Sequence, residues 1–469
     1  MLNELSITEA SKKLAAGEVT SLELTRACLA QIKKRNGELN AYLEVFEDAE
    51  AQARAADERR THSTSSGQAA GPLLGIPLAL KDNILIEGRR ASAASKMLEG
   101  YTATYDATVT KKLKEAGAVF LGRTNMDEFA LGGSTENSAF GPTKNPHDTA
   151  RVAGGTSGGS AAAVAAHLAL GALGSDTGGS VRNPASFCGV VGFKPTYGAV
   201  SRFGLIAAVS SFDQIGPITK SVEDAEILFE VTRGKDPLDS TSFELQRSGV
   251  GSKKIGVPRE MLTQGVDPDV LAAFERSLET FRGKGYEIVD IELPAVSYAL
   301  ATYYITNFAE VSTNLSRFDG MRYGLISPGE SLVETYAKSR AEGFGPETRR
   351  RIMLGTYVLS AGYWDAYYGK ATAAREGLRA EFVKIFKLVD AIATPTMPTP
   401  AWKVGEKSDP LSMYVADIFT VTANLTGNPA LSVPMGMVKR DGVELPVGLQ
   451  LMAADGAEAT LFAIGKDIW

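Results

Sequence analysis

Apolar and polar positions divide the chain into three stretches of different rhythm. Residues 1–60 carry helical spacing. Thr8 is placed to cap one helix. Thr20-Ser21-Leu22-Glu23 forms a capping box for a second, running to about Arg35 with Leu22, Leu24, Ala27, Cys28, Leu29 and Ile32 on its apolar side. Residues 47–60 predict a polar third helix, and residues 61–71 read as a Ser/Gly/Ala linker. From Leu73 the pattern changes to short apolar runs separated by amphipathic ones. The run 73–80 ends at Lys81 and predicts a buried strand. A helix capped by Asp106 and ending at Gly117 leads to a second strand at 118–121. This β–α–β rhythm belongs to a mostly parallel sheet, in which ligands bind beyond the carboxyl ends of the strands, where Lys81 stands. Strands are also expected at 255–258, 286–291, 391–395, 430–434 and 447–452, with a helix at 267–285. Residues 302–388 predict mostly helix, broken near Gly362, and 461–469 a short terminal helix. No internal repeat is visible.

The densest stretch is 152–196. It holds two hydroxyl clusters set among glycines, Gly154-Gly155-Thr156-Ser157-Gly158-Gly159-Ser160 and Gly174-Ser175-Asp176-Thr177-Gly178-Gly179-Ser180. The alanine-rich run 161–172 between them predicts a buried helix with a loop at either end. Glycine pairs let successive N–H groups converge into a concave donor nest. Ser180, after Thr177-Gly178-Gly179 and opening a short helical turn before Pro184, is placed to attack a carbonyl held by such a nest. A phosphate-binding loop or a plain tight turn is the alternative for either cluster taken alone. The P-loop lysine spacing is missing, which counts against phosphate.

A serine nucleophile needs a base. The chain has 3 histidines. His62 falls in the polar linker, His147 in a turn-like Asn145-Pro146-His147-Asp148, and His167 inside the predicted alanine helix. Gly155-Thr156-Ser157-Gly158-Gly159 formally matches the G-x-S-x-G elbow. That motif requires an acid and then a histidine downstream, and His167 is too near to serve, so a Ser-His-Asp hydrolase is rejected. Lysine is the remaining base. Lys81, at the end of a buried strand, would lose hydration in its charged form and drop from about 10.4 towards neutrality. A snorkelling surface lysine is the other reading of that residue.

These residues resemble the amidase signature family. The resemblance rests on Gly75-Ile76-Pro77-Leu78-Ala79-Leu80-Lys81-Asp82-Asn83, on 154–160 and on 174–189, and it covers nearly the whole chain. It implies one α/β domain over 1–469, with a central mixed, mostly parallel sheet covered by helices on both faces. Within it, 1–60 would form N-terminal helices, 73–260 the catalytic core, 300–388 a helical insertion, and 389–469 the C-terminal part of the core. It implies Lys81 as base, Ser180 as nucleophile, and the N–H groups of Thr177, Gly178, Gly179 and Ser180 as oxyanion donors. The relay hydroxyl, which follows a cis peptide in that family, falls on Thr156 where the family usually has serine, with Ser157 as fallback. A narrower resemblance, to the branch of the family that serves tRNA-dependent amidotransferases, rests on 122–132, 350–356 and 413–417. It implies that Arg351 and Asp417 hold the α-carboxylate and α-amino group of glutamine, with Tyr303 near the amide. It further implies ammonia transfer to a partner, a heterotrimer with two partner subunits, tRNA handled mainly by a partner, and ATP and Mg in a partner rather than in this chain.

Composition adds limits. The 469 residues are 44% hydrophobic and 22% charged, as in globular proteins. A net charge of −6 argues against an extended nonspecific nucleic-acid surface. The 2 cysteines, Cys28 and Cys188, form no disulfide framework, so a reducing compartment, the cytoplasm, is expected, with no metal. No signal peptide, transit peptide or membrane span is expected. Two other functions stay open beside the glutaminase: a stand-alone amidase on another carboxamide, with no use for both Arg351 and Asp417, and a noncatalytic subunit, for which only Thr156 speaks.

Overall fold

The computed structural model describes residues 1–65, 71–246, 253–263 and 265–469. Among the described residues eleven strands form one sheet: β1 (Tyr42–Val45), β2 (Pro77–Lys81), β3 (Val119–Thr124), β4 (Gly171–Asp176), β5 (Val191–Lys194), β6 (Gln214–Thr219), β7 (Lys254–Val257), β8 (Glu287–Asp290), β9 (Ala391–Pro395), β10 (Ala430–Arg440) and β11 (Val443–Met452). Their order is β1-β3-β2-β4-β6-β5-β10-β11-β9-β7-β8. The mixed α/β architecture is the expected one. Its balance is not, because six of the ten pairings are antiparallel and four parallel. The parallel rhythm holds where it is visible in the sequence, at β2 against β3, and β4, which the sequence did not mark as a strand, joins β2 in the same sense. The excess of antiparallel pairs comes from β6, which runs against β4 and β5, and from the β10–β11 hairpin. That hairpin turns at Asp441-Gly442, both with positive φ (51° and 83°), the backbone that Asp-Gly supplies in a two-residue turn.

Several boundaries differ from expectation. The first helix, Ile7–Ala15, is capped by Ser6 rather than Thr8. The Thr20 capping box is present, and its helix runs on to Leu39, where Asn40 ends it in the left-handed region. The third helix, Ala49–Ser65, takes in Thr61 and His62, so those residues are not linker; 66–70 of the expected linker lie outside the described residues. Asp106 does not cap the Thr108–Glu115 helix. Ala107 precedes it, and the Asp106 carboxylate instead accepts from the Glu87 N–H and from Lys114. The alanine run gives a helix only over Gly158–Ala165; Gly171–Asp176 is the central strand β4. His167 therefore lies in the turn between them, with φ 60°. The helical region breaks around Gly362, as expected, between Pro346–Val358 and Lys370–Ile385. Among the described residues no helix is long and apolar enough to cross a membrane.

Two apolar clusters dominate the interior. One gathers Leu24, Cys28 and Ile32 of the second helix with Leu78 and Leu80 of β2 and Leu173 of β4. The other gathers Phe129, Phe212, Tyr303, Tyr304 and Tyr414. Lys81 emerges from the first cluster directly after Leu80, and Tyr303 of the second packs on the loop after β4, so this loop lies at the border between them.

Candidate active site

Parallel pairing of β2 with β4 brings their carboxyl ends together, Leu80 opposite Leu173, so Lys81 meets the residues that follow. Its Nζ lies 2.6 Å from Thr156 Oγ1, 2.8 Å from Ser157 Oγ, and 2.9 and 3.2 Å from the hydroxyl and carbonyl of Ser175. Lys81 and Thr156 are 0% exposed and Ser180 is 7% exposed, so of the three only the serine is open to a substrate. Burial pushes the Lys81 amine down to about 7, against the pull of the Asp127, Asp176 and Asp213 carboxylates. An amine near 7 is partly neutral at neutral pH and has a lone pair for a proton. The peptide bond between Gly155 and Thr156 is cis.

The two candidate relays differ in what else they bind. The Ser157 hydroxyl donates to Ser175 O (3.2 Å) and accepts from both Lys81 and the Ser175 N–H. Its capacity is used. The Thr156 hydroxyl meets Lys81 alone among the described residues, which leaves its proton and one lone pair for exchange with another hydroxyl.

The loop 177–180 is held from behind by a buried ion pair that sequence reasoning did not single out. Asp176 accepts from Arg182 Nε and Nη2 (3.0 and 2.9 Å), and Arg182 spends its other N–H groups on Thr420 O, Gln450 Oε1 and Asn424 Oδ1. Burial alone would raise the Asp176 carboxyl; the Arg182 guanidinium outweighs it and holds the group well below the usual carboxylate range. The same carboxylate accepts the Gly179 N–H (2.8 Å) and the Val181 N–H (3.1 Å). Gly179 is thus not a free oxyanion donor, contrary to expectation. The N–H groups of Thr177, Gly178 and Ser180 donate to no other described residue. Gly178 and Gly179 must be glycine here: a Cβ on Gly178 would meet the Tyr303 hydroxyl at 2.3 Å, and Gly179, at φ 131°, would meet Thr420 Oγ1 at 2.5 Å. The short helix after Ser180 spans Arg182–Cys188 and runs through Pro184 rather than stopping before it, since proline fits a first turn.

Arg351, Asp417 and Tyr303 are gathered beside this loop. Arg351, on the Pro346–Val358 helix, is 3% exposed. It donates to Glu347 Oε1 (2.8 Å) and Asn307 Oδ1 (3.1 Å), and its guanidinium lies 5.6 and 5.4 Å from the rings of Tyr304 and Tyr414. Asp417 is half-buried and accepts from the Tyr304 hydroxyl (2.7 Å). Burial pushes it up to about 7, opposed by that hydrogen bond and by Arg351. Asn307 also donates to the Tyr303 hydroxyl (3.3 Å), which joins the arginine to the wall of the nest through one side chain. A cation and an acid therefore stand together on the Tyr303 side of the nest, as binding of an amino acid's two charges requires.

A protein-family model described as Amidase matches residues 23–462. The chain belongs to the amidase family. Among curated relatives, the glutamyl-tRNA(Gln) amidotransferase A subunit of Koribacter versatilis is 51% identical over 478 residues, covering 100% of this chain and 98% of that one. The protein of the same name from Geobacter metallireducens is 50% identical, covering 98% and 96%. Among solved structures, the glutamyl-tRNA(Gln) amidotransferase A subunit from Thermotoga maritima has a TM-score of 0.79 at 40% identity, covering 100% of this chain and 95% of that one. A peptide amidase from Stenotrophomonas maltophilia reaches 0.81 at 30% identity, covering 99% and 96%. The backbone is thus shared about equally with both kinds of amidase, and sequence identity separates them.

The three histidines stay away from this chemistry. His147 faces Cys188 O at 3.1 Å, His62 is exposed on its helix, and His167 sits in the turn before β4. Among the described residues no group of three or more His, Cys, Asp and Glu side chains is placed to hold a metal ion.

Proposed function

We propose that this amidase hydrolyses glutamine and supplies the ammonia to a tRNA-dependent amidotransferase, as its A subunit. The amide hydrolysis rests on the buried amine of Lys81, 2.6 Å from a Thr156 hydroxyl that meets no other described residue, and the choice of glutamine rests on Arg351 and Asp417, which share Tyr304. Neutral Lys81 takes the Thr156 proton as Thr156 Oγ1 takes that of Ser180, and Ser180 Oγ attacks the carboxamide carbon. The oxyanion accepts from the N–H groups of Thr177, Gly178 and Ser180. The proton returns by the same route to the leaving nitrogen, ammonia departs, and the glutamyl ester remains on Ser180. Water gives a proton to Lys81 along that route and attacks the ester carbon, and as the C–Oγ bond breaks the proton passes back to Ser180, releasing glutamate. Arg351 donates to the α-carboxylate and Asp417 accepts from the α-ammonium. Tyr303 backs Gly178 at the amide end.

The names of the relatives, A subunits of glutamyl-tRNA(Gln) amidotransferases, support the downstream half of the reading: ammonia goes to a partner subunit that converts Glu-tRNA(Gln) to its amidated form, with Asp-tRNA(Asn) as the alternative acceptor. In this reading ATP and Mg belong to that partner, a third subunit completes the cytoplasmic heterotrimer, and tRNA touches this chain little. Release of ammonia away from bulk water avoids its protonation, which gives a reason to couple two sites.

The test is ammonia release from glutamine, asparagine and an aryl amide, with and without the partner subunits. Glutamine turnover that rises with the partners is expected. Rapid aryl amide hydrolysis with glutamine ignored would make the protein a stand-alone amidase. Arg351→Ala is expected to weaken glutamine use by about tenfold or more while sparing a small neutral amide.

A further inference from the structure

The Pro346–Val358 helix, which carries Arg351, has no side chain of its own at its N-cap, because the residue there is Gly345. A carboxylate from a distant part of the chain binds beside it, on the N–H of Gly345 and on a first-turn hydroxyl. Glu128 Oε2 accepts the Gly345 N–H at 2.8 Å and the Thr348 hydroxyl at 2.5 Å. Its other oxygen accepts from Ser95 Oγ (2.5 Å); Gly343 O lies 3.1 Å from the same hydroxyl, whose single proton goes to the carboxylate. Glu128 is 2% and Thr348 1% exposed, so water does not compete for these bonds. An anion at a helix N-terminus is favourable, and this one fixes the first turn from outside. Arg351 lies one turn further along. The neighbouring residue works on the catalytic side: the Asp127 N–H donates to Thr156 O (3.3 Å), and its carboxylate accepts the Thr135 and Asn137 N–H groups (2.8 and 3.1 Å). Two consecutive residues thus reach the relay and the arginine-bearing helix.

We propose that Glu128 is a positioning residue for substrate selection: by anchoring the first turn of the Pro346–Val358 helix it sets Arg351 where the substrate carboxylate must meet it. This rests on the glutaminase reading. Ammonia release from glutamine and from propionamide is measured for the full chain and for its Glu128→Ala, Glu128→Gln and Thr348→Val variants. In Glu128→Ala and Thr348→Val the ratio of kcat/KM for glutamine to that for propionamide is expected to fall about tenfold or more, through KM for glutamine. Glu128→Gln is expected to recover most of it, because its amide oxygen can accept from Gly345 and Thr348 while its NH2 group donates to Ser95. Equal losses on both substrates, in Glu128→Ala or in Thr348→Val should the former fail to fold, would reduce Glu128 to a structural part and overturn the proposal. A wild type that hydrolyses propionamide as readily as glutamine would overturn the glutaminase reading itself, and the anchoring role with it.

Discussion

At Lys81 burial and charge oppose each other, and burial wins. Three carboxylates favour the ammonium form, yet desolvation brings the amine down to about 7. The sign for activity follows. Below pH 7 Lys81 is protonated and unable to act as base, and above it the amine is neutral. The rate at saturating glutamine is expected to rise through about pH 7 and level off above it; a flat profile from pH 5 to 9 would remove Lys81 from the base role. The relay gives a second prediction. Thr156→Ala is expected to lower kcat by about 10²–10⁴, whereas Thr156→Ser keeps the hydroxyl and is expected to match or exceed the wild type. A Thr156→Ala enzyme with full activity would pass the role to Ser157. Lys81 and Ser180 were legible because a lysine at the end of an apolar run and a serine after two glycines are local patterns. Arg182 and Asp176 were not singled out, though both stand close to Ser180 in the chain. Their meaning depends on Thr420, Asn424 and Gln450, which lie more than two hundred residues away.

Among elements, the central strand β4 was the main one missed. Gly171–Asp176 has no β-branched or aromatic residue to mark it, and it follows an alanine run that reads as continuous helix. It is a strand because β2 and β6 pair with it on either side, and tertiary pairing overrides propensity. Strand β1 is four residues long, too short to show a period. The cap of the Thr108–Glu115 helix went to Ala107 because Asp106 was drawn to Lys114 and the Glu87 N–H. The element that carries the nucleophile depends on the Asp176–Arg182 pair behind it. Arg182→Ala leaves a buried carboxylate uncompensated and is expected to cost about 3–5 kcal/mol, read as a lower urea midpoint. An unchanged midpoint would show that the pair does not hold the loop.

Over the whole molecule the site draws on distant parts of the chain. Lys81 comes from the first quarter, the two hydroxyl clusters from the second, Tyr303 and Arg351 from the helical stretch 300–388, and Asp417 from near the end. The parallel pairs β2–β3 and β7–β8 were readable because an amphipathic helix separates their strands, whereas β4 carries no such mark. The antiparallel half was not, because partners such as β5 and β10 are separated by more than two hundred residues and leave no local trace of their pairing. The grouping of Arg351 with Asp417 came from resemblance alone; the geometry adds Tyr304, which touches both. In the proposed reaction all of these parts act on one serine. The decisive measurement is therefore ammonia release from glutamine by Ser180→Ala against wild type, in the presence of the partner subunits. A loss of about 10³-fold or more in kcat is expected, with the fold intact. A Ser180→Ala enzyme that still releases ammonia at the wild-type rate would contradict the role of Ser180 as nucleophile.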